Sequence, residues 1–407
     1  MNSNNSIFLD IALPNASTWF YFSLLLASAL FFKFTRVFSM RNLDILGIFF
    51  FMPGLLFLLE GKADARTSFA WLLGACLYWL VRCLIDLLLE RRPAFSPNLN
   101  VPAMVWLSVA FYLSLVAVAI REPDSPGGRD PRMQTPIDKV REKGEKIIEN
   151  RGGQMVSAGS VRLWLERGLS LICHLAIGVG LVLFFWLHYE NYHLGFGAAT
   201  LYFLLPYTYL LMPYAGLKVG RWDHSFLMAL MIWALVFHKR PMVAAAFMGV
   251  AFGGLFFPLV LLPLWTSYFH GRARWRFLAM ALGVFVISAG AFVSFYGGSA
   301  ESLASTWMVS DWIPWKEPLA DTQSFWHGIH WAYRLPVSLV FLAFAVSVFF
   351  WPNPKNLGEL VALSAALLIG IQFWYSHLGG IYILWYLPLL LMVIFRPSLG
   401  INQVKPA

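Results

Sequence analysis

Residues 204–265 read LLPYTYLLMPYAGLKVGRWDHSFLMALMIWALVFHKRPMVAAAFMGVAFGGLFFPLVLLPLW. Almost every position is apolar, yet Lys218, Arg221, Asp223 and His224 crowd into one short connection. His238-Lys239-Arg240-Pro241 breaks the pattern again after one further apolar run. Long apolar runs parted by short polar breaks are the pattern of a chain that crosses a bilayer repeatedly. Arg272-Ala273-Arg274-Trp275-Arg276 supplies the next break. Basic connections collect on the cytoplasmic side, so the 238–240 and 272–276 breaks share a side and the chain between them must return to where it entered. Gly253, Gly254 and Pro258 interrupt the middle of that segment. The spacing predicts a helical hairpin that turns near Gly254–Pro258, at a depth where non-helical backbone is tolerated only against protein or a cavity. Gly249 and Gly253 form a small-xxx-small pair that admits a close neighbouring helix.

Composition supports the same class. The chain has 407 residues, 59% of them hydrophobic and 13% charged, with 36 Phe and 18 Trp. A soluble chain carries about 25% charged residues, so this is an all-α polytopic membrane protein. The run Trp19–Phe32 has Asp10 before it and Lys33 and Arg36 after it, the reverse of signal-peptide order, and is read as a retained helix. Cys76, Cys83 and Cys173 all sit in apolar runs, match no metal spacing and make no disulfide framework. The net charge of +9 lies mostly in connections, where orientation and membrane lipids account for it better than nucleic acid does.

Working outward, apolar runs cover 17–34, 43–59, 69–89, 103–120, 168–188, 194–212, 225–237, 242–269, 276–296, 335–351, 357–375 and 380–395. Counting the hairpin, the expectation is about 12–13 transmembrane or re-entrant helices, N-terminus outside and C-terminus cytoplasmic. Residues 1–120 read as an N-terminal four-helix module. Residues 121–167 read as a polar outer loop with ten basic and eight acidic side chains and a short surface helix at 136–150. Residues 168–407 read as the main membrane domain. Within it the outer loop 299–334 carries Trp307, Trp312, Trp315, Trp326 and Trp331, residues suited to the bilayer interface. With no eukaryotic sorting signal, the expected location is a bacterial inner (plasma) membrane.

Several side chains are candidates for chemistry. Asp223 and His224 begin the helix 225–237, where a carboxylate is also stabilised simply by the helix dipole. With Lys218 and Arg221 beside them they could bind a phosphate- or hydroxyl-bearing substrate, Asp223 acting as general base or hydroxyl anchor. His377, in Trp374-Tyr375-Ser376-His377-Leu378-Gly379-Gly380, is a possible phosphate or sugar contact and equally an interfacial structural residue. His327 and His330 are three apart, but no carboxylate or cysteine completes a metal set. Arg82 and Asp86 are four apart and can pair with each other, although charges at membrane depth are functional candidates by default. Glu359 reads as a dipole-compensating residue. The phosphate-loop, dinucleotide and nucleophile-elbow patterns do not occur, and nothing in the spacing calls for a cofactor.

Gly220-Arg221-Trp222-Asp223, the helix 225–237, Lys239-Arg240-Pro241, the small-residue run Ala244–Gly254, Phe257-Pro258 and Leu259–Trp265 follow one another in an order that resembles the polyprenyl-phosphate-dependent glycosyltransferases of the GT-C class. The likeness is strongest to the mannosyltransferases of glycosyltransferase family 87. Arg272–Arg276 resembles the basic turn that follows, and His377 before Trp385-Tyr386-Leu387-Pro388 looks like the late outer His and Pro-containing helix. The resemblance implies sugar transfer by single displacement from a polyprenyl-phosphate donor to a lipid or glycan acceptor on the outer face. It implies Asp223 as base or hydroxyl anchor, with Arg221, Lys218, His224 and His377 as donor or acceptor contacts. There are two departures. Leu255-Phe256-Phe257 precede Pro258 where such enzymes place a Lys, and the first connection, 33–44, carries no outer catalytic Asp. Asp10 is then an alternative base. A non-catalytic subunit of the same ancestry and a lipid-linked glycan transporter remain the rival readings.

Overall fold

Asparagines set the starts of helices along this chain. Asn15 accepts from the Thr18 amide, Asn100 from Ala103 and Asn191 from Leu194. Asn356 and Glu359 cap each other's backbone reciprocally, which places the Glu359 carboxylate at the positive end of its helix, as expected. The structure is a computed structural model that describes residues 15–61, 64–88, 95–121, 158–208, 222–254, 257–296, 312–316 and 324–397. The expected surface helix at 136–150 lies outside them. The described residues are helical, with no strand. The helices are α1 (Ala16–Phe31), α2 (Met40–Ile48), α3 (Met52–Glu60), α4 (Ala65–Asp86), α5 (Val101–Arg121), α6 (Ala158–Tyr189) and α7 (Tyr192–Leu204). They continue as α8 (Trp222–Val236), α9 (Pro241–Gly254), α10 (Leu262–Tyr268), α11 (Gly271–Tyr296), α12 (Arg334–Phe350), α13 (Leu357–Ile371) and α14 (Leu387–Phe395).

Among the described residues six helical stretches are long and apolar enough to cross a membrane: Met40–Leu59, Ala65–Asp86, Val101–Ile120, Arg167–Tyr189, Gly271–Ala291 and Trp331–Phe350. The chain is an integral membrane protein of helices. The sequence led us to expect about 12–13 transmembrane or re-entrant helices; the remaining apolar helices among the described residues are shorter, and the reason is where they sit. Of the long ones, 101–120, 271–291 and 331–350 are only 28%, 17% and 28% buried, so they face outward and need the full ~20 residues of a lipid-exposed span. Every residue of α14 is buried, as is every residue of α13 from Leu360 to Ile371. A helix wrapped by protein can end early, because neighbouring side chains and backbone replace the hydrocarbon.

The hairpin read from the charge pattern is present. Gly249 lies against Ala281 and Val284 of α11, and Gly253 against Ser288 and Ala289. Rising numbers on both helices make α9 and α11 parallel, so 257–268 must run back between their ends. The approach is closer than any side chain allows. A Cβ at Gly249 would fall 2.7 Å from the Ala281 carbonyl oxygen, and one at Gly253 2.8 Å from Ser288 Cβ. The Ser288 hydroxyl uses that proximity to donate to the Gly249 carbonyl at 3.2 Å.

A buried ion network joins the first helices to the last. Arg82 forks onto Asp44 of α2 at 2.6 and 2.7 Å and donates to Asp86 at 2.9 Å. Asp86 also accepts from Arg396, at the end of α14, at 2.5 Å. The sequence made Arg82 and Asp86 a self-contained pair; the structure corrects this to a four-residue chain of two cations and two carboxylates. Arg41 extends the polar layer, donating to the Phe31 and Ser96 carbonyls and covering the Phe95 ring at 4.6 Å. Asn42, fully buried, donates to the Lys33, Arg36 and Val37 carbonyls and so holds the α1–α2 connection in place. One core cluster runs from Phe20 to Phe395.

Two substitutions test this packing. Gly253→Ala should cost about 1–3 kcal/mol by overpacking, whereas Gly283→Ala, with nothing within 4 Å, should be neutral or stabilise by up to about 1 kcal/mol; unfolding in mixed micelles separates the two. Arg82→Gln should cost about 3–5 kcal/mol because it strands a buried carboxylate. Adding Asp44→Asn should recover part of that loss, since the Asp86–Arg396 pair then stays balanced.

Candidate functional site

The connection that carries Lys218 and Arg221 lies outside the described residues, as does Asp10. Asp223 is described as backbone in the first turn of α8. His224 and His377 are both placed, and both are buried.

His224 projects from the first turn of α8 into a stack of rings. The Trp385 indole N–H donates to its Nδ1 at 2.6 Å. An Nδ1 that accepts puts the proton of the neutral ring on Nε2. Tyr382 and Trp385 lie nearly parallel to the imidazole, 5.6 and 5.7 Å away at 18° and 16°. Trp385 stacks on Tyr382 at 4.2 Å on one face and on Phe257 at 3.9 Å on the other. These residues come from three places: the start of α8, the return limb of the hairpin, and the stretch 372–386 between α13 and α14. That stretch reverses the chain through tight turns and one 3-10 turn, Ile383–Trp385. Gln372 accepts from the Gly380 amide at 2.9 Å, and Leu378 and Gly380 have φ of +51° and +101°. Glycine takes such a φ freely, while leucine is strained there. A Cβ at Gly379 would meet the Gln372 and Tyr375 carbonyl oxygens at 2.6 and 2.7 Å. His377 belongs to this turn, between Tyr375 and Tyr382.

The turn is covered by part of the Trp-rich segment. Trp312 packs 5.3 Å from both Trp374 and Tyr375, and Trp326 donates to the Phe373 carbonyl at 2.9 Å. Arg334 fixes the cover from beneath, donating to the carbonyls of Ile313, Pro314 and Lys316 at 2.5, 3.2 and 2.7 Å. Trp312 and Trp326 are therefore buried side chains, and only Trp315 of the described members shows the exposure expected of an interfacial residue, at 63%. Trp307, Asp311, Glu317 and Asp321 lie outside the described residues. His327 and His330 do not pair. The His327 carbonyl accepts from Arg66, and the His330 ring caps its own short turn. Among the described residues no group of three or more His, Cys, Asp or Glu is placed to hold a metal ion.

Two further histidine sites escaped the sequence reading. His174 of α6 and Tyr202 of α7 share a hydrogen bond of 2.7 Å within the core, both without exposure. Their separation of 28 residues carries no periodic signal. At the opposite end of α8 from His224, His188 and His238 meet with ring centroids 4.3 Å apart. Each ring bonds a carbonyl at the end of α8, Val236 for His188 and Leu235 for His238, both at 3.0 Å. His238 lies in the connection between α8 and α9, where burial pulls its imidazole down to about 4. It is thus neutral in the fold, while the unfolded chain takes up a proton below about 6.5. Its contribution to stability is present above pH 6.5 and is lost as pH falls from there toward 4. The apparent melting temperature should decline over that window, and His238→Gln should flatten the decline.

A comparison with models of protein families, with curated proteins and with solved structures finds no match to this chain.

Proposed function

We propose that this protein transfers a sugar from a polyprenyl-phosphate donor to a lipid or glycan acceptor at the outer membrane face, as a GT-C-like enzyme of a bacterial inner membrane. The observation that carries the reading is the setting of His224. Its ring is held by the Trp385 indole N–H within a stack of aromatic rings, at the first turn of the helix that Lys218, Arg221 and Asp223 introduce. In this reading Asp223 accepts the proton of the acceptor hydroxyl while Lys218 and Arg221 balance the charge of the departing lipid phosphate. His224 and His377 hold sugar or phosphate oxygens, and Asp10 is the alternative base. The positive end of α8 adds its dipole to the same site.

A second reading has its own observation. Trp312 and Trp326 close over the 372–386 turn and leave the ring stack buried, which suits a membrane subunit of the same ancestry that no longer catalyses.

Transfer from radiolabelled polyprenyl-phosphate-mannose and polyprenyl-phosphate-glucose in membranes separates the two. The wild type should transfer one of these sugars, and Asp223→Asn should lower the rate roughly 100-fold or more, the usual worth of a positioned base. A full rate in Asp223→Asn with loss in Asp10→Asn would move the base to the N-terminus. No transfer by folded wild-type protein would favour the subunit.

A further inference from the structure

The basic end of the molecule bears a groove that no part of the proposed transfer uses. Helix α9 forms its floor with Val243, Ala246, Phe247 and Val250, Leu230 of α8 forms one wall, and Met280 of α11 forms the other. Its volume is about 430 Å³ and its lining is apolar. The floor exists because Gly249 and Gly253 draw α11 against α9 while the small side chain of Ala246 keeps the surface between the walls low. Such a trough running along a helix suits an extended hydrocarbon chain better than a compact ligand.

Charge at its foot defines the other half of the ligand. Lys239 and Arg240 directly precede α9, and both are exposed. On α11, Arg272, Arg276 and Met280 are spaced four apart, so the two exposed arginines share a face with the residue that forms the groove wall. Trp275, 69% exposed beside them, has the amphipathic ring that settles at a headgroup level. Four cations from two neighbouring connections thus stand where the trough opens. No carboxylate lies on either connection, 237–241 or 269–276.

We propose that this groove binds one anionic glycerophospholipid, its phosphate between Lys239, Arg240, Arg272 and Arg276 and an acyl chain along α9 from Met242 to Val250. Each cation near a membrane surface favours an anionic headgroup about fivefold, and every buried methylene adds to the affinity in proportion to the area it removes from water. The groove begins at the opposite end of α8 from His224, so this inference stands independently of the proposed transfer.

The test is lipid retention by the purified full-length protein, read by native mass spectrometry. The probes are phosphatidylglycerol and phosphatidylcholine with identical acyl chains. The wild type should retain phosphatidylglycerol preferentially. Arg276→Gln should weaken that retention about fivefold, and replacing all four cations by glutamine should remove the preference while leaving phosphatidylcholine unchanged. Ala246→Trp, which fills the trough, should weaken both lipids. Three outcomes would overturn the assignment. They are equal retention of both lipids by the wild type, undiminished retention by an Ala246→Trp protein of wild-type melting temperature, and displacement of phosphatidylglycerol by equimolar undecaprenyl phosphate or by chain-free glycerol phosphate.

Discussion

Inside a bilayer an unpaired peptide group has no water to turn to, so a break in a helix must be enclosed by protein. The stretch 372–386 is such a break, and much of the described structure can be understood as its enclosure. Its two limbs, α13 and α14, are buried along their lengths. Helix α4 closes one side, with Leu72 against Gly380 and Cys76 against the Tyr386 hydroxyl at 3.5 Å. The return limb of the 241–268 hairpin closes another through Phe257. Trp312 and Trp326 lie over the turn itself. The long, lipid-facing helices α5, α11 and α12 then stand at the periphery, where their length is needed.

The two ends of this enclosure are held by different forces. At one end aromatic rings stack, with an indole-to-imidazole bond to fix direction. At the other, Asp44, Arg82, Asp86 and Arg396 form a neutral chain with each carboxylate shared or forked. A buried ion pair often stabilises no more than the apolar side chains that could replace it. Its effect here is on register: Arg82 meets both oxygens of Asp44 only when α2 and α4 are aligned to within a hydrogen bond's tolerance. The Asp86–Arg396 bond transmits that alignment to α14, and thus to the turn that presents His377.

What the sequence revealed, and what it hid, follows from how far apart the interacting residues lie. Local signals were legible. The basic breaks on either side of 242–269 forced the chain to double back, Gly249 and Gly253 marked the close helix contact, and Glu359 sat where a helix start needs a carboxylate. The Arg82–Asp86 contact was legible because four residues make one turn. Asp44 is 38 residues from Arg82 and Arg396 is 310 from Asp86, and no periodicity spans such distances. The lengths of the apolar helices were hidden for a related reason. Hydropathy reports that a run is apolar, but it cannot tell a helix bathed in lipid from one wrapped in protein, and only the first must be long.

The candidate site was half legible in the same sense. Polar residues clustered among apolar runs drew attention to 218–224, yet the partners that orient His224 are Trp385 and Tyr382, which as sequence look like ordinary core. Their contribution is directional. An imidazole free in an apolar pocket can exchange its two neutral tautomers, whereas one whose Nδ1 accepts an indole N–H holds its own proton on Nε2. Trp385 is in turn fixed between Phe257 and Tyr382, from the hairpin's return limb and from the 372–386 turn. The protonation geometry of a residue at the start of α8 therefore depends on two segments that each reverse direction within the protein. A change in either reversal would reach His224 before it reached any lipid-facing helix.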